Sequence, residues 1–146
     1  MILGAMVDLG VNIKEIRNAL KNIDLKGYSL HSKKIQRNGL ASTQIIVETK
    51  KFQKKHSPPH RSYSDIRKLI SQSKLTSTVK KNSIEIFKRI AIVEAQIHNT
   101  TIQKIHFHEI GGIDSIVDIV GGVWAIESLN LDTIKSSPLN VGEGFV

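Results

Sequence analysis

The sequence predicts an α+β domain, in which a β-hairpin and further short strands pack with about five helices. Three observations predict this class. An Asn-Gly pair lies between two arms with alternating apolar residues, several segments carry apolar residues at three- and four-residue steps, and glycines or prolines separate these segments. The 146 residues suit a single domain, 1–146, because 40% hydrophobic and 23% charged residues are ordinary globular values.

The first two predicted elements are helices. Residues 1–9 have the pattern of an apolar helix that stops at Gly10. Asn12, followed three residues later by Glu15, has the spacing of a capping box and predicts a helix near residues 12–22. The buried stripe expected on this helix is Ile16, Ala19, Leu20 and Ile23.

A β-hairpin is predicted next, over residues 28–49. Asn38 and Gly39 join its two arms, because a two-residue type I′ turn needs a positive φ at both positions and these residues tolerate it best. The face expected to be half-buried carries Tyr28, Leu30, Ile45 and Val47.

Residues 50–61 are predicted to form a basic loop. They contain two of the three prolines and show no apolar period. His56 and His60 lie in this loop, where two histidines near prolines would bind a metal weakly; solvated loop histidines are the simpler interpretation.

Three further helices are predicted, near residues 62–73, 77–98 and 113–129. Ser62 with Asp65, or Ser64 alone, would cap the first of them. The stripe expected to be buried on the long helix is Val79, Ile86, Ile90, Val93 and Ile97. A last strand is expected in "DTIKSS", before Pro138.

Positive charge is concentrated in the middle of the chain, whose net charge is +8. Residues 50–104 carry thirteen Lys/Arg against three Asp/Glu, whereas residues 105–146 carry one against six. A basic segment could attract nucleic acid, nucleotide phosphates or an acidic partner, but solvated Lys-rich helix faces explain it as well. Few aromatic residues interleave with the lysines, which disfavours nucleic acid.

Several absences restrict the compartment and the chemistry. Without cysteine there is no disulfide framework, no thiolate metal site and no cysteine nucleophile. The start of the chain lacks a basic n-region, and no window offers about 18 uncharged apolar residues. We therefore expect a cytoplasmic protein without a membrane span.

Ionisable residues interrupt the apolar run "IHFHEIGGIDSIVDIVGG" at residues 105–122. In an extended segment, His106 and His108 would point to one face, because side chains alternate along a strand. Imidazole together with carboxylate suits zinc, nickel, iron or manganese. Glu109 could join them as a ligand, orient an imidazole ring or act as a general base.

Two aspartates follow in the same run. Asp114 and Asp118 lie four residues apart, on one face of the predicted helix, and a Gly-Gly pair before them allows the chain to turn back towards the histidines. A structural interpretation competes: Asp114 would be the helix N-cap and Asp118 would lie in the first turn, where the helix dipole favours a carboxylate. The spacing alone leaves both interpretations open.

The segment "HFHEIGGIDSIVDIVGG" resembles the hallmark V-H-F-H-E-V-G-A-x-D-S-I-x-D-I-V-G of the LarC nickel-insertion proteins. Other segments agree in order: "MILGAMVDLGV" with the family's start after its glycine-rich loop, "HRSYSDIRKLISQSKLTSTVKKNSIEIFKRIAIVEAQIHN" with its central helices, and "SSPLNVGEGFV" with the segment after the hallmark. The resemblance covers residues 1–146 and is least distinct at the hairpin. The chain is thus expected to be the N-terminal part of such a protein, without its C-terminal nucleotide-binding domain.

Membership of this family would imply an activity. LarC proteins insert nickel into a pyridinium bisthiocarboxylate mononucleotide and form one carbon–nickel and two sulfur–nickel bonds of the pincer cofactor used by lactate racemase. The reaction is of the lyase class and uses CTP with manganese or magnesium, so this part alone is expected to be inactive.

The resemblance also implies site residues. Nickel would be held by His106, His108 and Glu109, and Glu109, Asp114 and Asp118 would be the catalytic carboxylates. The alternatives are a basic module that binds nucleic acid or phosphate, and a homo-oligomerisation domain that buries apolar helix faces such as that of Trp124.

Overall fold

A computed structural model describes residues 2–49, 61–107, 110–140 and Gly142, and shows an α+β architecture. The helices in these ranges are α1 (Ile2–Asp8), α2 (Ile13–Leu20), α3 (Tyr63–Ser71), α4 (Ser77–Ile97) and α5 (Ile113–Ser128). The strands are β1 (Tyr28–Arg37), β2 (Leu40–Thr49), β3 (Arg61–Ser62) and β4 (His106–Phe107). They form two antiparallel pairs, β1 with β2 and β3 with β4. The predicted fold class and helix positions are confirmed.

The long hairpin has the predicted turn. Asn38 and Gly39 have φ values of 49° and 81°, and the residues on either side of them, Arg37 and Leu40, are directly paired. These positive angles are those of the type I′ turn. The predicted apolar face is also confirmed, because Leu30 is buried opposite half-buried Val47, on the face that packs against the core.

Helix α5 is the centre of the core. It packs against α1, α2, α4 and β2. Buried residues lie along its whole length: Ile113, Ile116, Val117, Val120, Gly121, Gly122 and Ala125. A helix this apolar must be covered on several sides, and α1, α2, α4 and β2 cover it.

Helix α1 is joined to the hairpin through Asp8 and Gly4. The Asp8 carboxylate accepts hydrogen bonds from Lys34 Nζ at 2.7 Å, from Thr43 Oγ1 at 2.6 Å and from Thr43 N at 2.8 Å. The hydrogen bond from Lys34, together with those from Thr43, lowers the pKa of Asp8 to about 2. Gly4 lies directly against the backbone carbonyl of Thr43, where a Cβ would collide with the oxygen.

Two of the predicted helix caps are present. Asn12 caps α2 through a 2.9 Å hydrogen bond from Lys14 N. Ser62 and Asp65 form the reciprocal capping box of α3, in which each side chain accepts from the backbone N–H of the other.

The predicted buried stripe of α4 is confirmed only for Val79, which is buried, and in part for Ile90, which is half-buried and packs against the core. The residues buried there are Val79, Ser83, Phe87, Ala91 and Ala95. Val93 and Ile97 are instead 53% and 71% exposed. Most of the buried residues are small, which allows α4 to pack closely against both α3 and α5, whereas the prediction followed side-chain size.

The predicted last strand is also wrong. Residues 131–140 form neither helix nor strand, and their side chains are exposed. No described strand lies beside "DTIKSS", so this segment has no partner for ladder hydrogen bonds. Among the described helices, none combines the length and apolar character that crossing a membrane requires.

Candidate metal-binding site

His106 is positioned by the short β3–β4 pair. In this pair Ser62 lies opposite His106, and Arg61 lies opposite Phe107. Because side chains alternate along a strand, the two residues of β4 point to opposite sides. Phe107 is 2% exposed and packs against Phe87 with ring centroids 6.3 Å apart, whereas His106 is exposed. The buried phenylalanine thus fixes the strand, and the strand presents the imidazole at the surface.

Asp65 lies in the neighbourhood of His106, because Ser62, its partner in the capping box, pairs with His106 between β3 and β4. Its Oδ2 accepts hydrogen bonds from Ser62 N at 2.9 Å and from Ser62 Oγ at 2.7 Å. These bonds lower the pKa of Asp65, and the nearby His106 and Arg61 add electrostatic contributions in the same direction. Asp65 is therefore a carboxylate in the neighbourhood of the exposed imidazole.

The turn after β4 is held tightly against β3. Arg61 Nη1 donates to the carbonyl of Gly111 at 3.1 Å. A Cβ on Gly111 would stand 3.0 Å from the Phe107 carbonyl oxygen and 3.1 Å from that of Arg61. Gly111 permits this close approach of backbones, which brings the start of α5 beside the two-stranded pair.

Asp114 is not the N-cap of α5, contrary to one of the two predicted interpretations. The N-cap is Gly112, which provides no side-chain hydrogen bond, and Asp114 is the second residue of the first turn. Asp118 consequently lies beyond the first turn. The predicted shared face is consistent with the electrostatics, since partial burial raises the pKa of Asp118 and the charge of Asp114 raises it as well.

The described residues do not by themselves form a complete metal-binding site. In the ranges 2–49, 61–107 and 110–140, no three His, Asp or Glu side chains come together in a way that could hold a metal ion. His106 and Asp114 are exposed, Asp118 is partly covered by its neighbours although its side chain reaches the surface, and the three do not converge as a ligand set. The other predicted ligands, His108 and Glu109, lie outside the described residues, as do His56 and His60 of the alternative loop site.

The sequence indicated the capping role of Asp65 but not its position beside His106. The Ser62–Asp65 spacing was a local signal, whereas the pairing of Ser62 with His106 joins residues 44 positions apart. A two-residue strand has no pattern long enough to predict its partner. What the arrangement offers chemically is one exposed imidazole with a carboxylate nearby, donors that borderline metals such as nickel accept.

Comparison with known proteins shows which family the chain belongs to. The family model described as "Nickel insertion protein" matches residues 1–146. A relative from Desulfitobacterium hafniense is 42% identical over 146 residues, and one from Acetivibrio thermocellus is 41% identical over 150 residues. Both are named pyridinium-3,5-bisthiocarboxylic acid mononucleotide nickel insertion protein. The matches cover 100% of this chain, but only 35% and 37% of these relatives.

No solved structure matches the chain. The family match extends over every residue, including the His106 strand, the Gly111 turn and the acidic start of α5. The chain therefore belongs to the nickel insertion protein family, as the hallmark segment predicted.

Proposed function

We propose that this chain is part of a nickel-inserting enzyme, which delivers nickel to pyridinium-3,5-bisthiocarboxylic acid mononucleotide and so completes the nickel-pincer cofactor of lactate racemase. The names of the two relatives support the reaction, and the match over all of this chain supports its transfer. Because the chain spans about a third of their length, the activity is assigned to the whole protein. The observation that carries the proposal is exposed His106, held on β4 beside Asp65.

Nickel, the metal substrate, is held by His106, His108 and Glu109 in this proposal. In an extended segment, two histidines separated by one residue would present two imidazoles on one face at a fixed spacing, which would lower the ordering cost of binding. Glu109 adds negative charge or accepts the second N–H of one ring, and Asp65 is a further candidate for either role. Because so few protein ligands leave coordination positions open, the site binds nickel weakly enough to release it to the acceptor.

Asp114 and Asp118 have a supporting role in this proposal, and Glu109 is the carboxylate assigned to touch the reactants. The two aspartates lie on the first turns of the helix that follows the histidines. Asp114, in the first turn, is assigned first to stabilising the start of α5 through the helix dipole, and both aspartates are assigned to attracting the incoming cation. Partial burial of Asp118, which raises its pKa, is compatible with a carboxylate that a cation would stabilise in its charged form.

Calorimetric titration of nickel into the untagged 146-residue chain tests the nickel site. Besides the wild type, three variants are compared: His106→Ala/His108→Ala, His56→Ala/His60→Ala, which removes the two histidines of residues 50–61, and a control. His31→Ala serves as a control for an exposed histidine, because His31 lies on the hairpin. We expect the His106→Ala/His108→Ala variant to lose nickel binding, and the His56→Ala/His60→Ala and His31→Ala variants to retain it.

The opposite pattern would reject the assignment. If the His106/His108 variant binds nickel as the wild type does while the His56/His60 variant does not, the loop is the metal site. Circular dichroism of each variant separates a lost ligand from a lost fold.

The use of CTP with manganese or magnesium, a lyase-class reaction and a cytoplasmic location are proposed for the whole protein. We propose that CTP is bound outside these 146 residues, so measurable CTP turnover by the purified chain would contradict this part. Homo-oligomerisation stays a prediction, and sedimentation that shows a strict monomer would count against it. The rival prediction of nucleic-acid binding is tested by titration with DNA at two salt concentrations.

A further inference from the structure

A second candidate site is a cleft between α2, the turn that follows it and strand β1. Its volume is about 1050 Å³. Leu20, Ile23, Leu25 and Leu30 lie along it and are all buried, so its deeper part is apolar. No described residue of β3, β4 or α5 lines the cleft, which separates it from the surface that carries His106.

The entrance of the cleft is basic. Arg17, Lys21, Lys26 and Lys74 line it, and Asp24 is the sole carboxylate among the described lining residues. Asp24 lies 3.5 Å from Lys26, which leaves three of the four cations to be accounted for.

The remaining cations are available to a ligand. In the described part of the chain, no carboxylate lies within 4.0 Å of the charged groups of Arg17, Lys21 or Lys74. Arg17 Nε donates to the carbonyl of Leu30 at 2.9 Å, which anchors the guanidinium at the wall, and Lys21 Nζ donates weakly to Asn18 at 3.4 Å. Unneutralised cations that line one cleft create a local positive potential that attracts an anion.

Backbone interactions fix the position of the segments that form the walls of the cleft. Lys74 N donates to the carbonyl of Asn22 at 3.0 Å, which ties the segment after α3 to the turn after α2. Gly27, with φ of 87°, turns the chain into β1. Tyr28, the aromatic residue of the lining, is half-buried and packs against the core, so the ring has a defined place before any ligand binds.

We propose that this cleft binds a mononucleotide, a ribose phosphate that carries an aromatic ring. The inference rests on the proposed function, because the mononucleotide acceptor of nickel belongs to this chemical class. It makes the cleft a docking site apart from His106, from which the acceptor must move to reach the nickel. The phosphate would contact Lys21 and Lys74, and the ring would enter the apolar part beside Tyr28. The volume of about 1050 Å³ lies just above the range of small-molecule sites, roughly 300–1,000 Å³.

The combination of a concave apolar floor and a cationic entrance favours a small molecule over a nucleic-acid strand. Strand-binding surfaces track the backbone with a positively charged groove and stack successive bases on several aromatic rings. Apart from the His31 imidazole, the described lining of the cleft has one aromatic residue, Tyr28. A single ring with clustered cations matches one nucleotide.

Calorimetry of the untagged 146-residue chain with nicotinic acid mononucleotide tests the proposal, since this probe combines a pyridinium ring, a carboxylate and a phosphate. Cytidine monophosphate and inorganic phosphate are titrated in parallel, to separate a pyridinium nucleotide from another nucleotide and from phosphate alone. The variant Lys21→Gln/Lys74→Gln removes two cations of the cleft. Its matched control is Lys81→Gln/Lys88→Gln, which removes two exposed lysines of α4 that do not line the cleft.

We expect the cleft variant to bind the probe roughly tenfold more weakly, and the control pair to match the wild type, because each contact between an exposed cation and an anion contributes only modestly. Higher salt should weaken wild-type binding more than binding by the cleft variant. Tyr28→Leu should weaken the mononucleotide but leave inorganic phosphate unchanged.

Three results would overturn the proposal: no binding of either nucleotide, equal weakening in both lysine pairs, or tighter binding of a DNA oligonucleotide than of the mononucleotides. A preference for cytidine monophosphate would support the cleft as a nucleotide site but reject the pyridinium ligand. The nickel titration is independent of all these measurements. A failure of nickel binding therefore leaves the cleft result interpretable, and a failure of the cleft leaves the nickel site interpretable.

Discussion

The surface that carries His106 and the half of the molecule that contains the hairpin are built in opposite ways. On the His106 surface, two strands of two residues and one close glycine contact hold an exposed imidazole. In the hairpin half, α1, α2, β1 and β2 are joined by hydrogen bonds between distant residues, among them Asp8 to Thr43 and Arg17 to Leu30. The recognisable motif therefore lies on a surface that two short strands and close contacts at Gly111 hold, and the basic cleft lies in the half that hydrogen bonds between distant residues hold.

The sequence motif that contains His106 and the basic cleft are therefore separate features of one fold. A metal ligand needs an accessible nitrogen and little else, so a short local pattern can supply it. A cleft needs walls from several segments, here residues 17–31 and 72–74, and such a set leaves no contiguous pattern in the sequence.

The largest loss of stability is expected for Gly4→Ala, at the contact between α1 and β2. Because a Cβ at Gly4 would collide with the backbone carbonyl of Thr43, α1 must move away from β2, and we expect a loss of about 3 kcal/mol or more in the free energy of unfolding. Urea denaturation followed by circular dichroism measures it.

The matched control for this variant is Gly122→Ala, a second glycine inside a helix. Its added Cβ would meet Ile2 Cγ2 at 3.6 Å, an ordinary contact. Replacing glycine in a helix interior is then expected to be neutral or to stabilise by up to about 1 kcal/mol. If the two substitutions changed the free energy of unfolding equally, the close contact between α1 and β2 would not be what makes Gly4 sensitive.

A smaller effect is expected for Gly111→Ala on the His106 surface. Three backbone atoms lie 3.0 to 3.2 Å from the added Cβ, so the turn must shift by a few tenths of an ångström, at a cost of about 1 to 2 kcal/mol. Amide hydrogen exchange should show faster opening of β3 and β4 and unchanged protection of the hairpin. If β1 and β2 also lost protection from exchange, the two regions would unfold as one cooperative unit.

The smallest expected effect is on the loss of folding stability at acidic pH. The pKa of Asp8 is about 2 in the folded state, against an ordinary value of 3.8. A lowered pKa means that this carboxylate stabilises the fold fully above pH 3.8 and that its contribution is lost as the pH falls from 3.8 towards 2. Asp8→Asn should therefore flatten the decline of stability in this window.

Asp24→Asn is the control for the acid measurement, because Asp24 contacts Lys26 at the surface, where both side chains are more than 80% exposed. Denaturant midpoints measured between pH 2 and pH 5 provide the comparison. If both variants decline as steeply as the wild type, the Asp8 cluster does not contribute to acid sensitivity.

Patterns over short stretches of sequence predicted much of this fold. The Asn-Gly turn, the Ser62–Asp65 capping box and the helix positions depend on neighbouring residues, so local steric and hydrogen-bonding preferences determine them. The hallmark segment likewise predicted the family, since the side chains that define it are consecutive.

The buried face of α4 and the neighbours of His106 were decided by tertiary packing. Ser83, Ala91 and Ala95 are buried because small side chains let α3 and α5 approach, and the larger Ile86 and Ile97 are exposed although their spacing predicted burial. Asp65 lies near His106 only because β3 pairs with β4, and the basic cleft exists only because the turn after α2 meets the segment after α3. The sequence by itself thus determined the local elements and the family, through preferences of adjacent residues. The tertiary structure decided which faces are buried and which charges meet, because these depend on the shape and separation of surfaces that are far apart along the chain.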